Sequence, residues 1–267
     1  MGKIAILTDI HANLPALKSV LRDVMTSYAE RIVFLGDIVG YGASPVECLK
    51  IVRNLGGCCV MGNHDWEIRN VRQRRHTFRD PESRNNGYLA GLDHAAGCLD
   101  ADQAEWLANL PFTKRIPGAV VAHASLNQPR AFNYICDDDS ALPTIRILQD
   151  KKIHVGFFGH THEAAIFSEN PKSLQWLDDM LVRIPPGLAC AVTVGAVGQP
   201  RHEPEHCASW VLWDPSEGVV EFRKTDYNRL QAAQDIVRAG LPLVSALRLL
   251  KPEEGPLLDL SHDNFEN

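Results

Sequence analysis

The chain opens with the stretch KIAILTDIH, residues 3–11, in which an apolar run ends in the triplet Asp9-Ile10-His11. Residues 3–8 predict a buried first strand, and the next segment places Leu17 and Val24 on one face of a helix. A second strand is predicted at 31–35, a helix at 45–54 that begins with a capping box and a proline, and a third strand at 58–61. This β-α-β-α-β order calls for parallel strands joined by right-handed crossovers.

The same arrangement of an apolar run followed by metal-binding residue types occurs five times. The five motifs are Asp9-Ile10-His11, Gly36-Asp37, Gly62-Asn63-His64-Asp65, His123 and Gly159-His160-Thr161-His162. Side chains two apart in an extended segment lie on the same face, so Asp9 with His11, and His160 with His162, are each predicted to point at one place. Sites collect at strand ends in open α/β sheets. Mixed oxygen and imidazole ligands in this number exceed the needs of one ion and favour a pair of divalent metals, which is typical of a two-metal hydrolase.

Composition narrows the class of protein. The 267 residues, 45% hydrophobic and 22% charged, are typical of a globular protein with one sizeable core. The net charge of −6 gives no reason to expect non-specific binding to nucleic acid or to anionic membranes. The early apolar run, residues 4–7, is too short for a signal peptide or a membrane span. Seven cysteines without a C-x-x-C pair favour a reducing, cytoplasmic location.

The rest of the chain predicts one domain, residues 1–267, with a helical insertion at about 66–110 and C-terminal helices at about 226–250, broken at 240–242. A helix is expected near 138–150. The strands of the second half are predicted at 119–123, 154–158, 164–167, 180–184, 191–194, 209–213 and 219–223. Their short spacing favours largely antiparallel pairing. We therefore expect two sheets, one from each half of the chain.

The five motifs in this order closely resemble the signature of the calcineurin-like metallophosphoesterase superfamily, which reads D-x-H, G-D, G-N-H-D/E, H and G-H-x-H. The longer stretches 8–17, 36–42 and 197–201 resemble its small bacterial branch of predicted phosphodiesterases. The resemblance runs from residue 3 to about residue 250. It implies an α/β fold of four layers, α-β-β-α, in which two mixed sheets are flanked by helices.

The resemblance also implies a division of the ligands. One metal would be held by Asp9, His11 and His162, and the other by Asn63, His123 and His160, with Asp37 bridging both. Two ions about 3.5–4 Å apart lower the pKa of a bridging water and clamp phosphate oxygens. The implied reaction is direct attack by a metal-bound hydroxide without a covalent intermediate. The mixed ligand shell suits Mn, Fe and Zn first, with Ni, Co and Mg as further candidates.

His64 and Asp65 follow a ligand position without being ligands in this scheme. For His64 we expect a catalytic role, in which it protonates the leaving oxygen or stabilises charge there; the alternative is a structural histidine. For Asp65 the favoured interpretation is that it binds loop amides, with catalysis as the alternative.

Departures from the superfamily's pattern bear on substrate. The protein-phosphatase branch has an Asp and an Arg where this chain has Gly40 and Tyr41, followed in both by a Gly, here Gly42, and this argues against a protein phosphatase. Arg201 is a candidate phosphate contact. Tyr41 either stacks on a substrate ring or packs its own loop. The arginines of residues 69–84 form either a solvated helix face or a cationic lid over the metals.

Together these observations predict a dinuclear, metal-dependent phosphoesterase, first of all a phosphodiesterase acting on a small or nucleotide-like phosphoester. A phosphomonoesterase is the alternative enzyme, and a non-catalytic scaffold on the same fold is the alternative class. The intact motifs count against the scaffold. Oligomeric state and metal identity are not readable from the sequence.

Overall fold

The computed structural model describes residues 2–73, 86–201 and 205–260. The predicted β-α-β-α-β start is present. Its elements are β1 (Lys3–Leu7), α1 (Leu14–Thr26), β2 (Ala29–Phe34), α2 (Pro45–Asn54) and β3 (Cys58–Cys59). Strand β2 pairs in parallel with both β1 and β3. The side chain of Asn13 accepts a hydrogen bond from Ala16 N and so caps α1 directly after the first motif.

In the described part of the chain, three α-helices follow the third strand. They are α3 (Asn63–Gln73), α4 (Gly87–Cys98) and α5 (Ala101–Ala108). Helix α5 begins with a capping box, in which the side chains of Asp100 and Gln103 each accept a hydrogen bond from the other's backbone N–H. These helices lie where the helical insertion is predicted; that they form an insertion into a single domain stays a prediction.

Nine strands and three helices make up the rest of the described chain. The strands are β4 (Thr113–Ile116), β5 (Ala119–Ala122), β6 (Val155–Phe158), β7 (Ala164–Ser168), β8 (Gln175–Trp176), β9 (Leu181–Arg183), β10 (Cys190–Val194), β11 (Ala208–Asp214) and β12 (Val219–Thr225). The helices are α6 (Asp138–Asp150), α7 (Arg229–Arg238) and α8 (Leu243–Leu247). Strands β4 and β8 are absent from the prediction because both are short and largely exposed, so neither has an apolar run to reveal it.

The strands form two mixed sheets, but the expectation of one sheet from each half of the chain is wrong. The seven-stranded sheet has the order β3-β2-β1-β11-β12-β9-β8, and the five-stranded sheet the order β4-β5-β6-β10-β7. The first sheet therefore combines the N-terminal strands with the C-terminal hairpin, since β11 pairs antiparallel with β1. Largely antiparallel pairing in the second half is confirmed, although β6 lies parallel to both β5 and β10.

Alternation along β1 shows how the layers stack. Ile4 and Ile6 pack between the two sheets with Val192 and Trp213, whereas Leu7 faces the opposite side and packs with the helices. On the far side of the five-stranded sheet, helix α6 packs against the strands through Ile145 and Leu148 in the cluster around Phe158. The result is the four-layer α-β-β-α arrangement that the resemblance implies.

The seven cysteines all lie in described ranges, and none forms a disulfide. Among the described helices, none has the length and apolar character needed to span a membrane.

Candidate metal centre

Four of the motifs lie in the turns directly after β1, β2, β5 and β6, and the third follows β3 into the first turn of α3. We expected Asp9 with His11, and His160 with His162, to share a direction because side chains alternate along an extended strand. That expectation is wrong. Asp9 and His11 have φ of 53° and 47°, and His160 and His162 have φ of 68° and 64°, so both pairs sit in left-handed backbone beyond the strand end. Each such residue with a Cβ costs about 1–2 kcal/mol. Strain of this kind concentrates at functional sites, where the surrounding structure holds it in place.

Backbone hydrogen bonds between neighbouring turns hold this conformation. Asp9 N donates to Gly36 O at 3.1 Å, and His11 N donates to Asp37 O at 2.9 Å. The turn after β1 is therefore bound to the turn after β2, and this sets the first motif beside the second.

One group of side chains joins the first and last motifs. His162 Nε2 lies 3.2 Å from Asp9 Oδ1, and His11 Nε2 lies 3.6 Å from the same oxygen. The two Nε2 atoms of His11 and His162 are 3.1 Å apart. Asp9, His11 and His162 are all buried, and their ligand atoms are close enough together to hold one metal ion.

A second group of possible ligand atoms includes the carboxylate of Asp37 itself. It contains Asp37, His123 and His160, and Asn63 Oδ1 lies 3.0 Å from His123 Nε2. Asp37 Oδ2 is 3.4 Å from His123 Nε2 and 3.7 Å from His11 Nε2. One oxygen of Asp37 thus lies between the two groups.

Hydrogen bonds to the outer nitrogens turn three histidines toward the centre. The carbonyl oxygens of Val39, Leu35 and Gln199 lie 3.2, 2.8 and 2.6 Å from Nδ1 of His11, His123 and His162 respectively. A carbonyl only accepts, so each Nδ1 carries a proton and each Nε2 points inward, where it offers a lone pair when the ring is neutral. This is the tautomer that a metal ligand requires.

The carboxylates also suit a cation. Asp9 Oδ2 accepts hydrogen bonds from Thr8 Oγ1 at 2.7 Å and from His160 N at 3.0 Å. Its Oδ1 is buried and accepts no well-formed hydrogen bond from any residue in the described ranges. An unsatisfied buried oxygen among inward-facing Nε2 atoms is costly without a cation, so the residues present fit a metal.

Burial and the charges of neighbouring groups together set the pKa values of the ligand residues. Burial alone would raise the pKa of Asp9, but His162 and His123 hold it well below its usual range. Burial opposes protonation of His123, yet Asp37 and Asp9 raise its pKa to about 9. Burial lowers the pKa of His160 to about 4. Asp9 is thus charged and His160 is neutral, which are the protonation states in which these groups bind metal, whereas a metal ion would displace the Nε2 proton of His123.

His64 and Asp65 flank the centre differently. His64 Nε2 lies 3.9 Å from Asp37 Oδ2, and the buried Nδ1 of His64 has no hydrogen-bond partner among the described residues. Asp65 accepts hydrogen bonds from Ile38 N at 3.0 Å and from Gly62 N at 3.3 Å. These contacts agree with the amide-binding interpretation of Asp65.

The predicted substrate contacts have different surroundings. Tyr41 is 9% exposed, and its ring packs 4.8 Å from His11 and 4.7 Å from His64, which favours packing over an open stacking surface. Burial raises the pKa of Tyr41, while the charges of Arg201 and Arg248 oppose that rise. Arg201 and Arg248 also line an open cavity of about 660 Å³. Both guanidinium groups therefore lie near Tyr41, whose ring packs against His11.

Several residues near the centre were not identified from the sequence. Arg248 follows α8, and Tyr88, Phe132 and Tyr134 place rings 4.6, 5.9 and 4.0 Å from His64, His123 and His160 respectively. No short motif marks these positions; only the Phe-Asn-Tyr sequence at 132–134 offered a cue, as aromatics in a polar loop. Of the arginine-rich segment, Arg69 alone has a described side chain, and Arg72, Arg74, Arg75, Arg79 and Arg84 lie outside the described side chains.

A family model for calcineurin-like phosphoesterases matches residues 2–164, which include all five motifs. The chain belongs to the calcineurin-like phosphoesterase family. It is accordingly a metal-dependent phosphoester hydrolase, and the α-β-β-α fold implied by the resemblance is confirmed.

Three relatives illustrate the range of similarity. The crystal structure of a metallophosphoesterase from Sphaerobacter thermophilus has a TM-score of 0.78 and 29% identity, covering 93% of this chain and 99% of that one. An uncharacterized protein of Methanocaldococcus jannaschii is 29% identical over 247 residues, 90% of this chain and 93% of its own. A symmetrical bis(5′-nucleosyl)-tetraphosphatase of Psychromonas ingrahamii is 27% identical over 127 residues, 46% of this chain and 44% of its own.

Proposed function

We propose that this phosphoesterase is a phosphodiesterase that uses two divalent metal ions and acts on a small or nucleotide-like substrate. The observation that carries the proposal is the position of Asp37 between two groups of ligand atoms, each compact enough for one ion. Asp9, His11 and His162 would hold one ion, and Asn63, His123 and His160 the other. Two such ions would supply Lewis acidity and an activated water for attack on phosphorus.

The reaction needs a proton for the leaving group. Attack by water forms one P–O bond, the ester P–O bond breaks, and the departing oxygen must be protonated. The position of His64 Nε2, 3.9 Å from Asp37 Oδ2, supports this role for His64. Burial lowers its pKa, so the free imidazole is neutral; a bound phosphate anion would raise that pKa and allow His64 to donate.

The choice between diester and monoester rests on cations near the centre. Gly40 and Tyr41 stand where the protein-phosphatase branch has its Asp and Arg, and this supports a monoanionic diester. The partial similarity to a symmetrical bis(5′-nucleosyl)-tetraphosphatase supports a nucleotide-like substrate. A phosphomonoesterase is the second candidate, because Arg201 and Arg248 bring two guanidinium groups close to the site that could balance a dianion.

Metal analysis tests the dinuclear proposal. Wild-type protein loaded with Mn should retain two ions per chain, and Asp37→Asn should lose both together because it weakens the shared carboxylate. Asn63→Ala should lose one ion first, and Asp102→Asn on the surface of α5 should lose none. Two tightly held ions and near-normal turnover in Asp37→Asn would contradict the bridging role.

Kinetics test the substrate class. We expect kcat/KM for bis-p-nitrophenyl phosphate to exceed that for p-nitrophenyl phosphate with the same metal. A clear preference for the monoester, lost in Arg201→Ala or Arg248→Ala, would instead assign the chain as a phosphomonoesterase. No hydrolysis of either ester by protein that holds two ions would support the scaffold.

A further inference from the structure

We propose that Tyr134 provides a stacking surface for an aromatic ring of the substrate, so that the preferred phosphoester carries a nucleobase or another aryl group. The proposal rests on the proposed function, since it names the class of group that is attached to the phosphate. It concerns the loop 125–134, which no motif singled out.

The ends of this loop are fixed by hydrogen bonds. Ser125 N donates to Asn133 O at 3.3 Å, and this closes the loop. Leu126 N donates to Thr144 Oγ1 at 3.1 Å, and the hydroxyls of Thr144 and Ser125 are 2.7 Å apart. Because Thr144 belongs to α6 and is fully buried, the loop is anchored to a rigid element.

The loop also holds strained backbone. Phe132 has φ of 51° and ψ of 43°, and Gln128 has φ of 55° and ψ of 68°. Left-handed backbone is unusual for a bulky residue such as phenylalanine. Strain that surrounding contacts maintain is a feature of ligand-binding segments. Here it turns the chain so that Phe132 and Tyr134 both approach the metal centre.

The rings meet two histidines of the second group. Tyr134 stacks on His160 with ring centroids 4.0 Å apart and an interplanar angle of 20°. Phe132 lies 5.9 Å from His123 in an edge-on contact. Tyr134 nevertheless remains 50% exposed. One face of its ring is therefore held in place by His160, while the rest of the side chain is open to a ligand next to the centre.

Tyr134 differs from Tyr41 in how much of its side chain is exposed beside the metal centre. Tyr41 is buried at 9% exposure and packs among His11 and His64, so little of it is open to an incoming ring. A ring that is held flat and half open has already lost most of its conformational freedom, which favours stacking. Base–aromatic stacking strengthens binding by about 5- to 150-fold per base.

Paired ligands that differ only in the base test this proposal. Adenosine 5′-phosphate and ribose 5-phosphate share the phosphate and the sugar. Their dissociation constants are measured by calorimetry on Mn-loaded wild type, Tyr134→Phe and Tyr134→Leu, with bound metal determined for each. Tyr28→Leu is the matched control, because Tyr28 is 89% exposed at the end of α1.

We expect wild type, Tyr134→Phe and Tyr28→Leu to bind adenosine 5′-phosphate about 5- to 150-fold more tightly than ribose 5-phosphate. In Tyr134→Leu the two ligands should bind equally. No base preference in wild type, failure of adenosine 5′-phosphate to bind, or an unchanged preference in Tyr134→Leu would overturn the proposal. Equal weakening of both ligands with loss of metal would mean that Tyr134 only positions His160, and would also overturn it.

The experiments distinguish failure of the proposed phosphodiesterase function from failure of the proposed stacking site. The ligand ratio does not depend on turnover, whereas the diesterase assignment depends on hydrolysis of bis-p-nitrophenyl phosphate. A base preference that depends on Tyr134, found in protein that does not cleave the diester, would retain the ring site and refute the phosphodiesterase.

Discussion

Replacement of Asp65 by alanine should destabilise the fold and disturb the metal centre together. Asp65 is 1% exposed, and its Oδ1 accepts hydrogen bonds from Ile38 N at 3.0 Å and from Val39 N at 3.4 Å. Its Oδ2 accepts one from Gly62 N at 3.3 Å. One side chain thus joins the turn that carries Asp37 to the turn before His64.

The size of the effect follows from these distances. A hydrogen bond to a charged group contributes about 1.5–3 kcal/mol. Counting the 3.0 Å bond in full and the two longer bonds at about half gives roughly 3–6 kcal/mol. Burial and the nearby charge of Asp37 oppose ionisation and raise the pKa of Asp65 to about 7, so its removal also relieves some repulsion. We therefore expect Asp65→Ala to lower the free energy of unfolding by about 2–4 kcal/mol, which is a large part of a typical domain's stability.

The assay is urea unfolding of the metal-free protein at neutral pH, followed by metal analysis of the folded variants. Asp65→Asn should lower the free energy of unfolding by less, about 1–2 kcal/mol. Its carbonyl oxygen can still accept a hydrogen bond from Ile38 N, but its NH₂ group faces Gly62 N–H and cannot accept one. The control is Asp102→Ala, which removes an exposed ion pair and should change the unfolding free energy by less than about 1 kcal/mol. If Asp65→Ala matched this control in stability and kept its metal, the inferred role of the carboxylate would be refuted.

Three further predictions concern separate parts of the chain. His64→Ala should keep its metal content while turnover falls about 10²–10⁴-fold, with a smaller fall for p-nitrophenyl leaving groups; loss of metal would make His64 a ligand. Tyr28→Gly should raise the unfolding free energy by about 0.5–1 kcal/mol, because Tyr28 is left-handed at φ 61° and 89% exposed; an equal gain in Tyr28→Ala would contradict this explanation. Hydrogen bonds from Arg229 lower the pKa of Glu254 below 4.5, so this stabilisation is present above pH 4.5 and is lost as pH falls through the lowered value. The stability difference between wild type and Glu254→Gln should therefore shrink below pH 4.5 in urea titrations, and a constant difference would count against it.

Local sequence patterns were enough to predict most of the helices and strands. Short apolar runs marked β1 and β2, and Pro45 marked the start of α2, although Ser44 makes no capping hydrogen bond through its side chain. The order of five polar motifs after apolar runs predicted which residues would meet, because parallel strands bring their carboxyl ends to one edge of a sheet. All seven predicted ligand residues do lie together around Asp37. These features depend on contacts between neighbours in sequence, which the sequence displays directly.

Tertiary structure decided the features that depend on distant partners. Strand β1 pairs with β11 on one side as well as with β2 on the other, because a buried apolar strand suits many neighbours and only the path of the whole chain selects them. The left-handed turns at Asp9 and His11 exist because the turn after β2 binds them, and this cannot be read from D-x-H alone. Arg248 and Tyr134 come near the centre through a C-terminal helix and a strained loop that fold back over it. The sequence by itself therefore determined the chemistry of the centre, while the surroundings that select its substrate came from packing between residues far apart in the chain.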